Sequence, residues 1–295
     1  MVLLVFVIAC FGLLLTRHSV LEEAARESLE FVGKALIPAL FPFAVLSRFV
    51  LTASLLPCRG KIAQKTAKAL HIAPSLLPAY LLGLFCGFPI GAYAASSLYE
   101  ADLCEKNAAY RSASLSNNAS AAFLFSTAAS LFSNRQAAFV LLFSQSAATI
   151  LVSLFSRQKS TSFKEPLPKK TSYLSLAADT ISKSGIALLS LSAFVVFFAV
   201  LTKALLLVGL PSCITLILEP ISAVRYAASL IEVIGQPASL SLAAFALGFS
   251  GISVIMQAQA LFHGKLPLRK QILTRLAIAL LSCTLAFLTA SLFCS

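Results

Sequence analysis

GLFCGFPIGAYAASSLYEADLCEKNAAYRSASLSNN, residues 83–118, is the stretch that decides the fold. It begins inside a long apolar segment, yet it places Gly87, Pro89 and Gly91 in the middle of that segment and ends on an uncharged polar cluster at 116–120. In hydrocarbon every backbone N–H and C=O needs an internal partner, so an interruption at membrane depth is stable only when it is packed in protein or lines a wet cavity. The stretch therefore predicts a broken or re-entrant helix beside a solute site, as in many secondary transporters.

The composition of the whole chain predicts an all-α polytopic membrane protein. Hydrophobic residues make up 59% and charged residues 12% of its 295 residues, and the mean hydropathy is +0.91. Both values are far from those of soluble domains. With spans of about 20 residues each, the chain has room for about eight membrane segments.

The net charge of +12 is concentrated in three basic loops. They lie at 59–68, 157–170 and 265–275. Basic loops beside apolar segments are typical of the cytoplasmic side of a membrane protein, so we expect a lipid bilayer as partner and no nucleic acid. If the first two loops are cytoplasmic, the apolar segments between them make an even number of crossings, and the segment interrupted at CGFPIG is the one we expect to be re-entrant.

Reactive side chains are sparse and scattered. The seven cysteines form no CxxC pair, and His18, His71 and His263 stand alone. No nucleophile and base pair, phosphate loop or metal-ligand spacing is present. We therefore expect no catalytic residue, no metal and no cofactor, and a protein that is not an enzyme.

The chain divides into four parts by hydropathy and charge. We expect an N-terminal anchor and amphipathic helix at 1–34, a first repeat at 35–156, a basic linker with an amphipathic segment at 157–183, and a second repeat at 184–295. The first 16 residues lack the pattern of a cleaved signal, so they are interpreted as an uncleaved span.

An internal duplication is indicated by two sequence matches. FAVLSRFVL at 43–51 and FAVLTKALL at 198–206 are identical at five of nine positions, and FCGFPI at 85–90 aligns with FSGISV at 249–254. Loop parity has the first FAVL helix entering the cytoplasm and the second leaving it, which predicts an inverted repeat.

Several residues have two interpretations that the sequence leaves open. The glycine row at 83, 87 and 91 fits close helix packing as well as a solute cavity. Asn118 or Ser120 fits an N-cap of the next helix, a solute contact, or both. Glu219, which precedes a proline, fits a pathway group at the end of a half-helix or a surface residue paired with Arg225.

The expected site combines polar side chains at the breaks with glycines that allow close approach and two arginines as counter-charges. The substrate-binding candidates are Gly87, Pro89, Gly91, Asn117, Asn118, Ser120, Glu219, Ser250, Gly251, Ser253 and Gln257, and the counter-charges near the mouth are Arg111 and Arg275.

Four motifs together resemble a known family. They are GLFCGFPIGA at 83–92, SLSNN at 114–118, LEPISAV at 218–224 and GFSGISVIMQAQ at 248–259. The combination is similar to the sporulation integral membrane protein family of the YlbJ type, which carries nucleoside-recognition (Gate) domains and includes a stage V sporulation protein implicated in moving dipicolinate into the spore. The resemblance implies motif roles for Gly87, Pro89, Gly91, Asn117, Asn118, Glu219, Gly251 and Gln257.

The function expected is a membrane transporter or facilitator for a small polar, anionic solute such as dipicolinate. The alternatives are a structural or assembly component of a spore-envelope complex and a nucleoside carrier. The expected location is the bacterial cell membrane, and the resemblance implies the forespore membrane. A second copy of the chain or sporulation membrane proteins are the protein partners to expect. Because no carboxylate cluster lies at the breaks, the sequence favours facilitated movement over ion coupling.

Overall fold

The computed structural model describes residues 12, 15–52, 60–156 and 172–293. These residues form helices joined by short turns, with no strand among them. The predicted first span at 1–16 therefore falls almost entirely outside the described residues, as does most of the basic linker. The all-α class expected from composition is confirmed for the described part of the chain.

The first half of the chain contains a long N-terminal helical rod and several short helices. A π-helical turn at Val32–Leu36 joins α1 to α2, and a 3-10 turn at Pro74–Leu76 precedes α4. The helices are α1 (His18–Phe31), α2 (Ile37–Thr52), α3 (Lys61–Ala69), α4 (Leu77–Phe85), α5 (Ile90–Glu100), α6 (Lys106–Leu115), α7 (Ala121–Leu131, with a π turn inside it) and α8 (Arg135–Phe155).

The second half begins with the longest helix and then repeats the alternation of short and long helices. The helices are α9 (Tyr173–Leu207), α10 (Thr215–Leu218), α11 (Pro220–Ser229), α12 (Ile231–Ile234), α13 (Gln236–Phe249), α14 (Gly251–Leu261) and α15 (Leu268–Phe293). The domain boundary expected at 183/184 falls inside α9, which is one continuous helix of 35 residues. The amphipathic segment and the following span are thus a single element.

In the part of the chain that the structure describes, four helices are long and apolar enough to cross a membrane, which is consistent with a membrane protein. The number rises to five if α3 and the segment Pro74–Phe85, bent by 96°, count as one span. The other apolar segments are cut into shorter helices by their breaks, so the expected count of about eight stays a prediction. The four spans are Arg135–Phe155, Tyr173–Leu207, Gln236–Leu261 and Leu268–Leu292.

The interruption at CGFPIG is a tight connection between α4 and α5, whose helices fold back on each other as a hairpin. A Cβ at Gly83 would lie 2.9 Å from Cα of Gly91, and both glycines also face the carbonyl oxygen of Ser116. The glycine row was expected to admit another helix. Because the chain reverses at 86–89, the glycines of α4 and α5 instead face each other and the C-terminal end of α6.

Two broken helices each lie antiparallel to an unbroken one. α6 and α7 are separated by the non-helical residues 116–120, which we name the first break. Asn118 contacts Thr149 of α8, and the next residue, Ala119, contacts Gln145. Residue numbers on α8 therefore fall as those in the first break rise, which shows that the two segments are antiparallel. α13 and α14 are separated by Ser250, the second break, and they pair in the same way with α15.

Candidate functional site

The two breaks meet in the interior of the protein. The hydroxyl of Ser250 donates a hydrogen bond of 2.8 Å to the backbone carbonyl of Asn117. Both residues are fully buried. Ser250 has the left-handed backbone conformation, with φ of 71°, and lies between the last residue of α13 and the first residue of α14. We name this meeting point the crossing.

Asn118 connects the crossing to three further elements. Its backbone carbonyl accepts a hydrogen bond from the N–H of Phe88 at the hairpin tip. Its side-chain Oδ1 accepts one from Thr149 on α8, at 3.0 Å, and one from Arg275 on α15, at 3.4 Å. One amide oxygen therefore holds α8 and α15 to the first break.

Arg275 supplies a fully buried positive charge at the crossing. Its guanidinium donates at 3.5 Å to the carbonyl of Leu115, the last residue of α6, and at 3.3 Å to that of Leu247, in the last turn of α13. Among the described residues no carboxylate lies within salt-bridge distance of it. A buried cation without an ion-pair partner is costly in a protein interior.

The partial charges of the helix ends at the crossing offset one another. The C-termini of α6 and α13, which carry partial negative charge, face it together with the N-termini of α7 and α14, which carry partial positive charge. Because the two kinds of end are equal in number, the guanidinium remains as the net charge of the region.

Several polar atoms around the crossing are buried and have no hydrogen-bond partner among the described residues. Most buried polar groups in folded proteins do find a partner. Both Oδ1 and Nδ2 of the Asn117 side-chain amide are unpartnered, so the amide uses none of its hydrogen-bonding capacity within the described part of the protein. The unpartnered atoms are Asn117 Oδ1 and Nδ2, Asn118 Nδ2, Arg275 Nε, Ser112 Oγ on α6, and Ser282 Oγ on α15.

A helix connection packs against each break. At the hairpin tip Gly87 has φ of +78°, and a Cβ there would lie 2.6 Å from Cα of Ser120. In the second half Gly251, with φ of +71°, would place a Cβ 2.9 Å from the carbonyl oxygen of Leu218. These glycines are required by the close approach of backbone to backbone.

Glu219 ends one short helix and begins the next, as the sequence predicted. Its two carboxylate oxygens accept hydrogen bonds from the N–H groups of Ile221, at 2.9 Å, and Ser222, at 2.7 Å. The expected alternative, a surface pair with Arg225, does not form. The carboxylate is an N-cap of α11 and is buried.

Of the residues expected at the site, the structure brings together Asn117, Asn118, Ser250 and Arg275. Ser120 lies at the edge of the first break, where its hydroxyl caps α7 by accepting from the N–H of Phe123. The others shape or support the breaks: Gly87, Pro89 and Gly91 belong to the hairpin, Gly251 packs on Leu218, and Ser253 and Gln257 are buried on α14.

Arg111, the other expected counter-charge, is engaged in hydrogen bonds within the protein. Its guanidinium donates to the carbonyls of His71 and Ser153 and to the hydroxyl of Ser156, at the C-terminal end of α8. All these acceptors are ordinary helix-end and loop groups, so Arg111 fastens α8 to the connection before α4. Arg275 does carry a charge, but in the centre of the protein and not at a mouth.

Two residues of α8 were missed by the sequence analysis. Gln145 accepts from the N–H of Ala119 at 3.1 Å and donates to its carbonyl at 2.8 Å, and so satisfies the open backbone of the first break. Thr149 binds Asn118 as described above. The signal was the spacing: Gln145, Thr149 and Ser153 recur every four residues on an apolar helix, which places them on one face.

The crossing is thus a buried polar region where two interrupted helices meet. Among the described residues, its guanidinium has no ion-pair partner and the side-chain amide of Asn117 has no hydrogen-bond partner. The crossing can donate and accept hydrogen bonds and attract negative charge. Comparison with models of known protein families, with curated proteins and with solved structures finds no match for this chain.

Proposed function

We propose that the chain is a membrane carrier for a small polar, anionic solute, which binds at the crossing of the two broken helices. The observation that carries the proposal is the Asn117 side chain, whose buried amide has no partner at either end among the described residues. An unsatisfied buried polar group costs about 1 to 3 kcal/mol. An anionic solute that accepts from Nδ2 would recover part of that free energy.

The buried guanidinium of Arg275 favours an anionic solute over a neutral one. Water could satisfy the amide of Asn117, but water supplies no counter-charge to a guanidinium that is removed from solvent. A carboxylate would supply the counter-charge, and the unpartnered Nε of Arg275 gives it a donor. The expectation of an anionic cargo rests on this charge and on the resemblance to the sporulation family.

A duplication of the chain is supported by matching spacings between the halves. Pro89, which directly precedes α5, and Pro220, the first residue of α11, are 131 positions apart. α7 and α14 begin 130 positions apart and end 130 positions apart. This register replaces the pairing of 85–90 with 249–254, because 86–89 form a hairpin tip whereas Ser250 interrupts a helix that crosses the interior.

Opposite directions of equivalent helices support an inverted relation between the repeats. Thr149, in the second half of α8, and Arg275, near the start of α15, share the same acceptor on Asn118. Ala138, near the start of α8, shares a core cluster with Ala286, near the end of α15. The two helices therefore run antiparallel, as an inverted repeat requires of its equivalent members.

The repeat assigns four membrane segments to each half, eight in all. In the first half they are α2, the re-entrant α4 and α5, the broken α6 and α7, and α8. In the second half they are α9, the pair α10 and α11, the broken α13 and α14, and α15. α4 has nine residues, about 14 Å of helix, which suits a limb that enters a bilayer halfway and returns.

Uptake into vesicles tests the proposal. Purified protein is reconstituted, and entry of labelled pyridine-2,6-dicarboxylate, the solute suggested by the sequence resemblance, is followed for the wild type and for Asn117→Leu. We expect saturable uptake that Asn117→Leu abolishes. The matched control is Asn107→Leu, at an exposed position on the neighbouring α6, and it should transport normally.

Two outcomes would favour the other functions. Uptake that nucleosides inhibit and other dicarboxylates do not would favour a nucleoside carrier. No uptake of any solute in a panel of dicarboxylates, monocarboxylates and nucleosides by well-folded protein would contradict a carrier and leave an assembly component.

A further inference from the structure

The two FAVL segments place equivalent residues in different surroundings. Phe43–Arg48 reads FAVLSR on α2, and Phe198–Lys203 reads FAVLTK on α9. Ser47 thus corresponds to Thr202 and Arg48 to Lys203. Because the surrounding sequence is similar, a difference in environment reflects how each half is packed and not which residues it contains.

In the first half, Ser47 and Arg48 are buried, and Arg48 is bonded to α5. Arg48 is 7% exposed, and its guanidinium donates to the hydroxyl of Ser97 at 2.7 Å and to the carboxylate of Glu100 at 3.3 Å, both on α5. The hydroxyl of Ser47 donates to the carbonyl of Ala44. Ala44 itself is 5% exposed and packs in a core cluster with Tyr93. α2 therefore packs directly on α5 of the hairpin at this point.

In the second half the corresponding surface is open. A cavity of about 450 Å³ lies between α1, α9 and α11, and both Thr202 and Lys203 line it. Thr202 is buried, and its hydroxyl has no hydrogen-bond partner among the described residues. Lys203 forms no ion pair with any described carboxylate. We name this cavity the cleft.

The cleft joins the protein surface to the neighbourhood of the crossing. A second cavity, of about 360 Å³, adjoins it along α1, shares Glu27 and Lys203 with it, and continues to Ser19. At the inner end the cleft reaches Glu219, whose preceding residue Leu218 packs directly on Gly251 beside the second break. Leu218 therefore separates the inner end of the cleft from the second break.

The charges that face the cleft allow an anion to bind there. Glu27 and Glu219, with Glu23 in the adjoining cavity, contribute negative charge, and Lys203 and Arg225 contribute positive charge. Both carboxylate oxygens of Glu219 are already bonded to the N-terminus of α11, which offsets its charge. Lys203, which follows Thr202 in the chain and lines both cavities, is the group best placed to attract a carboxylate.

We propose that the cleft is an open solute entrance with Thr202 and Lys203 as its outer anion-binding subsite, and that the Ser47–Arg48 seal is the corresponding entrance in its closed form. This inference rests on the proposed function, since it supplies the carrier with one open and one closed side. Alternating between the two arrangements would expose the crossing to each face of the membrane in turn.

The matched alanines Ala44 and Ala199 provide the test. Ala199 lines the cleft, and Ala44 lies in the sealed interface. Each is changed to cysteine in full-length protein whose seven native cysteines are replaced by alanine. The rates of modification in detergent are measured with anionic ethylsulfonate and cationic trimethylammonium-ethyl methanethiosulfonates. We expect rapid modification of Ala199→Cys and protection of Ala44→Cys.

Two further variants test the subsite and the seal. Lys203→Gln should lower the ratio of the anionic to the cationic rate at Ala199→Cys about thirtyfold, because one unit charge about 4 Å away in water changes each rate about fivefold, in opposite directions. Lys265→Gln, at an exposed position in a distant loop, should not change this ratio. Arg48→Gln should make Ala44→Cys reactive. If Arg48→Gln folds poorly, Arg48→Lys is used in its place and should have the same effect to a smaller extent.

Equal modification of Ala44→Cys and Ala199→Cys in the otherwise unchanged protein would overturn the entrance and its closed counterpart. An unchanged reagent ratio in Lys203→Gln would overturn the anion subsite. The labelling experiment needs no transported solute. A negative labelling result would therefore overturn the entrance, whereas the carrier proposal is tested separately by the uptake experiment.

Discussion

The hydroxyl of Ser250 donates a 2.8 Å hydrogen bond to the backbone carbonyl of Asn117, which lies 133 residues earlier in the chain. The bond joins two helix interruptions that have little sequence in common. It also holds Asn117 next to Asn118, whose side chain accepts from the guanidinium of Arg275. A contact between two breaks is what allows backbone and side-chain polar groups from both halves to face one molecule.

Asn117→Leu should stabilise the empty protein while it removes binding. Leucine has a similar volume and leaves no unsatisfied amide, so we expect a gain of about 1 kcal/mol and a thermal midpoint in detergent higher by a few degrees. The backbone carbonyl that accepts from Ser250 is unaffected. Thermal unfolding without solute measures the effect, and Asn107→Leu should change the midpoint little. A lower midpoint for Asn117→Leu would show that the amide has a structural partner.

Asn118→Leu should have the opposite effect on stability. Its Oδ1 accepts from Thr149 and Arg275, and removing it leaves both donors buried with one acceptor fewer. We expect a loss of about 2 to 3 kcal/mol, since one of the bonds is to a charged group. Thermal unfolding of the two asparagine variants side by side measures the contrast. Equal midpoints would contradict the different roles assigned to these neighbours.

Gly91→Ala should disrupt the hairpin. A Cβ at this position would lie 2.7 Å from Cα of Gly83 and would also meet the carbonyl oxygen of Ser116, and neither backbone can move independently. We expect a loss of at least about 2 kcal/mol. Gly185→Ala is the control, because nothing lies within 4 Å of its Cβ position on α9. It should stabilise by up to about 1 kcal/mol through helix propensity. Similar midpoints for both variants would contradict the close approach of α4 and α5.

Thiol reactivity should separate Cys213 from Cys104. Burial, together with the charge of Glu105, raises the pKa of Cys104 to about 12, so at pH 8 only about one thiol in ten thousand is ionised. Cys213 is exposed before α10. Single-cysteine variants treated with maleimide at pH 8 should be modified at Cys213 and not at Cys104. Fast modification of Cys104 would place the connection between α5 and α6 in solvent.

The sequence predicted the local features of the fold well. The amphipathic α1, the break at CGFPIG, the cap at Ser120, the half-helix end at Glu219 and the interruption near Ser250 all follow from residue types that act on their immediate neighbours. Proline removes a donor and glycine admits unusual backbone angles wherever they occur. The four residues that meet at the crossing were all among the expected site residues.

The long-range partners could not be predicted in the same way. Arg111 and Arg275 look alike in the sequence, but only the packing of α8 and α15 shows that the first binds helix-end carbonyls and the second lies at the crossing. The open cleft around Lys203 and the seal around Arg48 also arise from sequences that are nearly the same. Such differences depend on which helices become neighbours, and periodicity within one segment does not specify that.

The most direct test of the central claim is equilibrium binding of labelled pyridine-2,6-dicarboxylate to purified protein in detergent, compared between wild type, Asn117→Leu and Asn107→Leu. The solute site at the crossing predicts saturable binding to wild type and Asn107→Leu and its loss in Asn117→Leu, although Asn117→Leu is the more heat-stable protein. Undiminished binding to a well-folded Asn117→Leu would contradict a site at the crossing.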